Sequence, residues 1–196
     1  LGSRDAKMNT VKERFAAVPH VESVAACFAP PASNSSWNTS LRFDNRTENE
    51  IFSVSLRAGD EDYINTFDIP LIAGRNLQPS DTVREFLVNE TFLSKLNLSP
   101  QEILGKTMTT NGSWTGPVVG VVKDFHDQSL HSDIRPVFLT TVKETYWYFA
   151  VKIDLEDSRT TLASLEKIWS ETYPELLYEY DFVDAMAAEF YETEET

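Results

Sequence analysis

The sequence predicts an α+β fold in which both chain ends build one βαβ-type lobe and a β-rich lobe is inserted between them, from about residue 46 to about residue 143. Three observations predict it. Apolar residues recur at helical spacing near both ends of the chain. Next to each of these helical stretches runs an apolar, β-branched segment with strand character. Between them lies a long middle of short strand-like runs punctuated by Pro and Gly.

In chain order, Met8, Val11, Phe15 and Val18 fall on one helical face, and Pro19 stops that helix. Val21 to Phe28 reads as a buried strand, ended by Pro30-Pro31 and the polar loop Ser33-Asn34-Ser35-Ser36. Leu41 and Phe43, and later Phe52, Val54 and Leu56, alternate with polar neighbours and predict two strands of a half-exposed antiparallel ribbon. Tyr63 and Phe67 lie four apart on a helical face, before Pro70 and Gly74 turn the chain into an extended segment. Phe86 to Val88 is a short strand, and Asn89 caps a helix carrying Phe92, Leu93 and Leu96. Ser99-Pro100-Gln101-Glu102 combines a capping box with Pro at the first helical position, and Gly105 closes that single turn. Val118 to Val122, Val137 to Leu139 and Tyr146 to Leu155 are strands. Ser158 is placed to cap a helix with Leu162, Leu165, Trp169 and Thr172 on one stripe, ended by Pro174. Leu176 to Phe182 alternates as a return strand, and Asp184 opens a last helix with Met186 and Phe190.

A chain of 196 residues with 41% hydrophobic residues supports one large or two small cores. Its longest apolar run, around Val118 to Val122, is far short of the about 20 residues a spanning helix needs. No membrane helix and no signal peptide is therefore expected in this stretch; a piece lying between two membrane helices reads the same way. Lys and Arg number 17 against 31 Asp and Glu, a net charge of −14 that repels nucleic acid and anionic lipid head groups. The single Cys27 sits in an apolar run and reads as a buried, inert thiol. Six Asn-x-Ser/Thr triplets are read as loop and cap residues, since Asn89 and Asn97 fall at helix boundaries.

Asp124, His126, Asp127 and His131 form the one cluster with the residue types of a metal or acid–base site. They follow a strand end on a polar turn, without a His-Glu-x-x-His helix or a Cys pair, so a hydrogen-bonding role is the expectation and no metal is expected. His20 has no partner nearby in sequence. Glycine-rich phosphate loops and nucleophile elbows are absent, and only 7 glycines are present to build backbone-lined sites. No catalytic or cofactor-binding residue is assigned. Trp37 and Trp114 lie in polar stretches and are read as core-capping residues, with surface contact as the alternative.

The series Tyr63 to Arg75, Val88-Asn-Glu-Thr-Phe92, Ile103-Leu-Gly-Lys106, Val119-Gly-Val-Val-Lys-Asp-Phe-His126, Ser129-Leu-His131 and Ile134-Arg-Pro136 resembles the MacB-like periplasmic core domain of FtsX-type ABC-transporter permeases. The resemblance spans most of residues 20 to 192, with Asp68 standing where a small residue such as Gly is common and Asn76-Leu77 replacing an acidic-aromatic pair. It implies a porter-like lobe from residues 1–45 and 144–196 and an inserted lobe from 46–143. It also implies a place on the periplasmic side of the bacterial inner membrane, in a dimeric transporter. The implied partners are the permease's own membrane-spanning segments, a cytoplasmic ABC ATPase, and a periplasmic adaptor or lipoprotein. Its implied role is mechanotransmission for efflux or force transfer, with no cofactor and no catalysis. The alternatives are a small-ligand-binding module and a metal-dependent hydrolase using Asp124, His126 and His131.

Overall fold

The structure, a computed structural model, describes residues 2–33, 35, 37–128 and 132–183. Its elements are α1 (Gly2–Ala16), β1 (Val21–Cys27), β2 (Trp37–Thr39), β3 (Leu41–Phe43), β4 (Val54–Ala58), α2 (Tyr63–Thr66), β5 (Leu71–Gly74), β6 (Phe86–Asn89), α3 (Glu90–Leu96), α4 (Pro100–Ile103), β7 (Thr107–Thr110), β8 (Trp114–Val122), β9 (Val137–Thr140), a tight helical turn at Lys143–Thr145, β10 (Tyr148–Ile153) and α5 (Ser158–Thr172).

The N-terminal stripe is buried as its spacing requires. Val11, Phe15 and Val18 of the first segment join Val24, Leu165 and Tyr173 in one core, so α1 and α5 cover the same small sheet. That sheet is β1 with β10, running antiparallel with Val24 opposite Val151 and Ala26 opposite Phe149. The antiparallel pairing departs from the expected βαβ geometry, which makes its two strands parallel. Parallel pairs occur in the larger sheet instead, between β4 and β9 and between β6 and β8, with α3 and α4 in the crossover from β6 to β8.

The larger sheet has eight strands in the order β2-β4-β9-β6-β8-β7-β3, with β5 also on β8. The expected ribbon between the strands at 41–43 and 52–56 does not form. Instead, β3 pairs with β7, and β4 pairs with β2 and β9. The reason is burial: all five residues of β4 are buried, which suits an interior strand and not an edge ribbon. Residues 37–43, expected with the chain-end lobe, are strands of this sheet. Only Ser40 separates β2 from β3, yet they stand at opposite ends of the strand order, so the strand path curls back on itself. Its interior holds Leu41, Phe43, Val54, Leu56, Phe86, Val88, Phe92, Met108 and Phe138. Met8 of α1 and Ala26 of β1 belong to the same core, which joins the two sheets through packing.

Local signals hold where they rest on caps. Asn89 accepts from Phe92 N, and Ser99 with Glu102 makes a reciprocal capping box behind Pro100. Ser158 is the first residue of α5 and not its cap; Asp157 precedes it in a left-handed conformation. The expected strand at 176–182 has no strand partner among the described residues. Its side chains are engaged otherwise, with Tyr178 against Trp169 of α5, and Tyr180 tilted against Tyr178 and edge to face with Phe182. The expected last helix with Met186 and Phe190 lies outside the described residues.

Candidate functional site

β4 ends at Ala58, and the chain turns sharply at Gly59, where a Cβ would lie 2.5 Å from the Tyr63 ring. The turn delivers Asp60, only 8% exposed, between both sheets. Asp60 Oδ2 accepts from Ala26 N of β1 at 2.8 Å and from Lys12 Nζ of α1 at 2.7 Å, while Oδ1 accepts from Asp62 N at 3.1 Å. Lys12 reaches Asp62 Oδ2 as well, at 2.6 Å, with Glu61 at 3.7 Å. Burial works against the Lys12 ammonium, but its hydrogen bonds and charge contacts with Asp60 and Asp62 outweigh that, and its pKa lies above the ordinary lysine value. For Asp60, burial pushes the carboxyl up and the Lys12 bond only partly offsets it. An ammonium held protonated between two carboxylates has no lone pair for base or nucleophilic work and is a weaker acid than a free lysine, so the arrangement ties elements together. A cleft of about 350 Å3 opens beside it, lined by Met8, Lys12, Asp60, Asp81, Lys143 and Tyr146 among others.

The same helix is tied to the far end of the chain. Lys7 Nζ donates to the Thr172 carbonyl at 3.0 Å, and Arg14 donates to Thr172 Oγ1 at 3.2 Å and to Glu171 Oε2 at 2.5 Å. Beneath these polar contacts, Phe15 meets Phe149 of β10 edge to face at 5.7 Å.

The carboxylates and histidine of the predicted cluster are dispersed into structural work. Asp124 accepts from Thr91 N at 2.9 Å and from Thr91 Oγ1 at 2.8 Å, while its own amide donates to Glu90 Oε2 at 3.0 Å, so it fastens the start of α3. The His126 carbonyl accepts from Ala32 N at 2.8 Å. Asp127, 2% exposed, accepts from Arg135 Nη2 at 2.6 Å and Nε at 3.4 Å, with Arg57 Nη2 at 3.9 Å. Burial raises the Asp127 pKa, but hydrogen bonds from Arg135 and Ser55 outweigh it and leave the carboxyl below its usual range. His131 lies outside the described residues. Among the described residues, the donor atoms that do converge are those of His20, Asp154 and Glu156, all within 4.8 Å of one another and all exposed. Sequence reasoning missed this group because 134 positions separate His20 from Asp154; the antiparallel β1–β10 pairing brings them together. With no buried second shell it carries no metal assignment.

Trp37 and Trp114 pack on each other with ring centroids 5.6 Å apart, and Phe28 sits against Trp37 at 6.1 Å, as core-capping residues do. Burial drives the Cys27 thiol pKa far up, so it is held as a neutral thiol.

The segments singled out by their motifs meet in register. Gly74 of β5 stands opposite Gly120 of β8; a Cβ on Gly74 would come 2.2 Å from Val119 O, and one on Gly120 would come 2.3 Å from Arg75 O. Asn89 adds to its cap a bond to Arg135 O and one from Val137 N, which clamps the segment before β9. Asp68 has φ +52, the left-handed conformation in which Gly is at ease, and its carboxylate holds Lys152 of β10 at 2.7 Å. The family model of the MacB-like periplasmic core domain matches residues 2–168. The chain belongs to that family.

Three solved structures share its fold. The extracellular domain of the noncanonic ABC-type transporter YknZ from Gram-positive bacteria has 14% identity and a TM-score of 0.59, over 84% of this chain and 83% of that one. The periplasmic region of MacB from Actinobacillus actinomycetemcomitans has 19% identity and a TM-score of 0.58, over 85% and 74%. A domain of a putative permease protein from Porphyromonas gingivalis has 15% identity and a TM-score of 0.53, over 81% and 72%. No curated protein matches. No described helix is long and apolar enough to cross a membrane.

Proposed function

We propose that this MacB-like domain stands on the outer side of the inner membrane and passes ATP-driven motion of membrane-spanning segments to substrate export or to a periplasmic partner, with no catalysis of its own. The observation that carries this reading is the double fastening of α1. Lys12 ties it to the turn after β4, and Lys7 and Arg14 tie it to the end of α5. A displacement delivered through α1 therefore reaches both sheets as one movement, which is what rigid-body transmission requires. In this reading α1, β1, β10 and α5 form the porter-like lobe, and the inserted lobe reaches back to include β2 and β3. The working assembly contains a second copy, the cytoplasmic ABC ATPase and a periplasmic adaptor or lipoprotein.

The test is made in the full transporter reconstituted with its ATPase. Lys7→Ala with Arg14→Ala loosens α1 from α5 at exposed positions and is expected to lower transport per ATP hydrolysed while nucleotide hydrolysis continues. Wild-type coupling in that double variant would remove the transmission role and leave a passive ligand-binding module as the reading to pursue.

A further inference from the structure

The cleft beside Lys12 holds about 350 Å3, at the small end of the range for ligand sites. Its walls come from five parts of the chain: Lys12 and Glu13 of α1, Ala26 of β1, Asp60 in the turn after β4, Asp81 before β6, and Lys143 with Tyr146 around the tight helical turn. Met8, Ala26 and Tyr146 are buried and give it an apolar lining. A ligand seated there touches α1 and the surroundings of the larger sheet at once.

The charges of the cleft select the class of ligand. Lys12 is taken by Asp60 at 2.7 Å and Asp62 at 2.6 Å, and Lys143 by Asp81 at 3.2 Å. Counting each lysine against one carboxylate leaves Asp62, Glu61 and Glu13 uncompensated, and Glu13 has no ion pair among the described residues. Such a field repels anions and draws cations. Asp81, its side chain 76% exposed, keeps acceptor capacity beyond its contact with Lys143. These carboxylates do not converge on one point: among the described residues, the group of acidic and His side chains whose ligand atoms lie within 4.8 Å of one another is His20, Asp154 and Glu156. A compact metal ion, which needs several oxygens at one point, is therefore poorly served. A cation whose charges are spread along an apolar stem meets both the acids and the apolar lining.

We infer that this cleft binds a linear aliphatic polyamine, with ammonium groups on Glu13 of α1 and on Asp81 before β6 and methylenes along Met8, Ala26 and Tyr146. The bound chain bridges α1 to the segment before β6, next to the tie that Lys12 already makes to Asp60. The site stands whether or not the domain transmits motion.

Calorimetric titration of this chain with spermidine tests the inference, with magnesium chloride at matched ionic strength as the comparison. Spermidine should saturate one site per chain and bind roughly tenfold more tightly than magnesium. Glu13→Gln and Asp81→Asn, both at exposed positions, should each weaken spermidine roughly tenfold, as expected for one lost charge-assisted hydrogen bond. Ala16→Phe fills the cleft from an exposed position of α1 without changing its charge and should weaken binding at least as much. Glu48→Gln, outside the cleft and also exposed, should leave binding as in the wild type. Diffuse attraction to an acidic protein gives the opposite pattern, in which charge alone matters. Magnesium binding as tight as spermidine, unsaturable uptake, or undiminished affinity in either Glu13→Gln or Ala16→Phe would each overturn the inference.

Discussion

Replacing Lys12 by Met isolates the tie between α1 and the turn after β4. Met keeps the apolar stem against its neighbours and deletes only the ammonium. Asp60, 8% exposed, is then left with the amides of Ala26 and Asp62 as its donors. Removing one partner of a fully buried pair costs about 3–5 kcal/mol. Here 21% of the Lys12 side chain reaches solvent and both amide bonds survive, so about 2 kcal/mol is expected. For a chain of this size that is a fall of about 6 °C in melting temperature, read by calorimetry or circular dichroism. Asp60→Asn on the same background removes the stranded carboxylate, so the double variant should be less destabilised than the sum of the singles by about 1 kcal/mol. The pH dependence has a fixed sign. Burial holds the Asp60 pKa above its unfolded value, so the folded state takes up a proton first, and the deficit of Lys12→Met shrinks as the pH is lowered toward that pKa. A melting temperature within about 1 °C of wild type, or strict additivity in the cycle, would refute the reasoning.

Asp127→Ala should cost about 3–5 kcal/mol, because it strands the buried Arg57 and frees Arg135, whereas Arg46→Ala in an exposed pair should cost well under 1 kcal/mol; urea titration of both variants compares them. Gly120→Ala drives a Cβ to 2.3 Å from the backbone oxygen of Arg75 and should lose about 3 kcal/mol or fail to fold. Gly105→Ala, at φ +80 but in open space, should lose only about 1 kcal/mol, and equal losses in the two variants would show that small shifts relieve the crowding at Gly120. Hydrogen bonds from Arg75 hold the Glu85 pKa below its ordinary value, and Asp127 is also below its own, so their stabilisation is present above about pH 4 and is lost as the pH falls through the folded values. Glu85→Gln should flatten that acid limb in a pH series of melting temperatures.

Much of the local structure was legible because it is written in short-range chemistry. The capping box at Ser99, the cap at Asn89 and the apolar stripe from Met8 to Val18 each need only four to eleven consecutive positions to be seen. Strand partners were not legible, because pairing joins residues far apart and alternation says which face is buried without saying who lies alongside. Hence alternation pairs Leu41 to Phe43 with the 52–56 run, while its partner is β7, whose Thr-Met-Thr-Thr sequence shows no apolar alternation although Met108 is fully buried. The hydrogen-bond partners of Asp124 and Asp127 are hidden in the sequence for the same reason: Thr91, Glu90 and Arg135 lie on other segments. Gly74 and Gly120 stood out only through their motifs, and their juxtaposition across β5 and β8 supplies the steric reason.

The pairing of β1 with β10 also dictates an order of assembly. The 120 residues between Cys27 and Tyr148, its partner in the register, make a loop whose closure is entropically expensive and slow while it is unstructured. Once the eight-stranded sheet has formed, it brings the two ends within reach of each other, and the remaining step is local. During synthesis, α1 and β1 leave the ribosome before α5 and must wait for it, with Val11, Phe15 and Val24 exposed until it arrives. A released chain truncated before Ser158 should therefore present α1 and β1 to proteases while its larger sheet is already protected, which limited proteolysis would display directly.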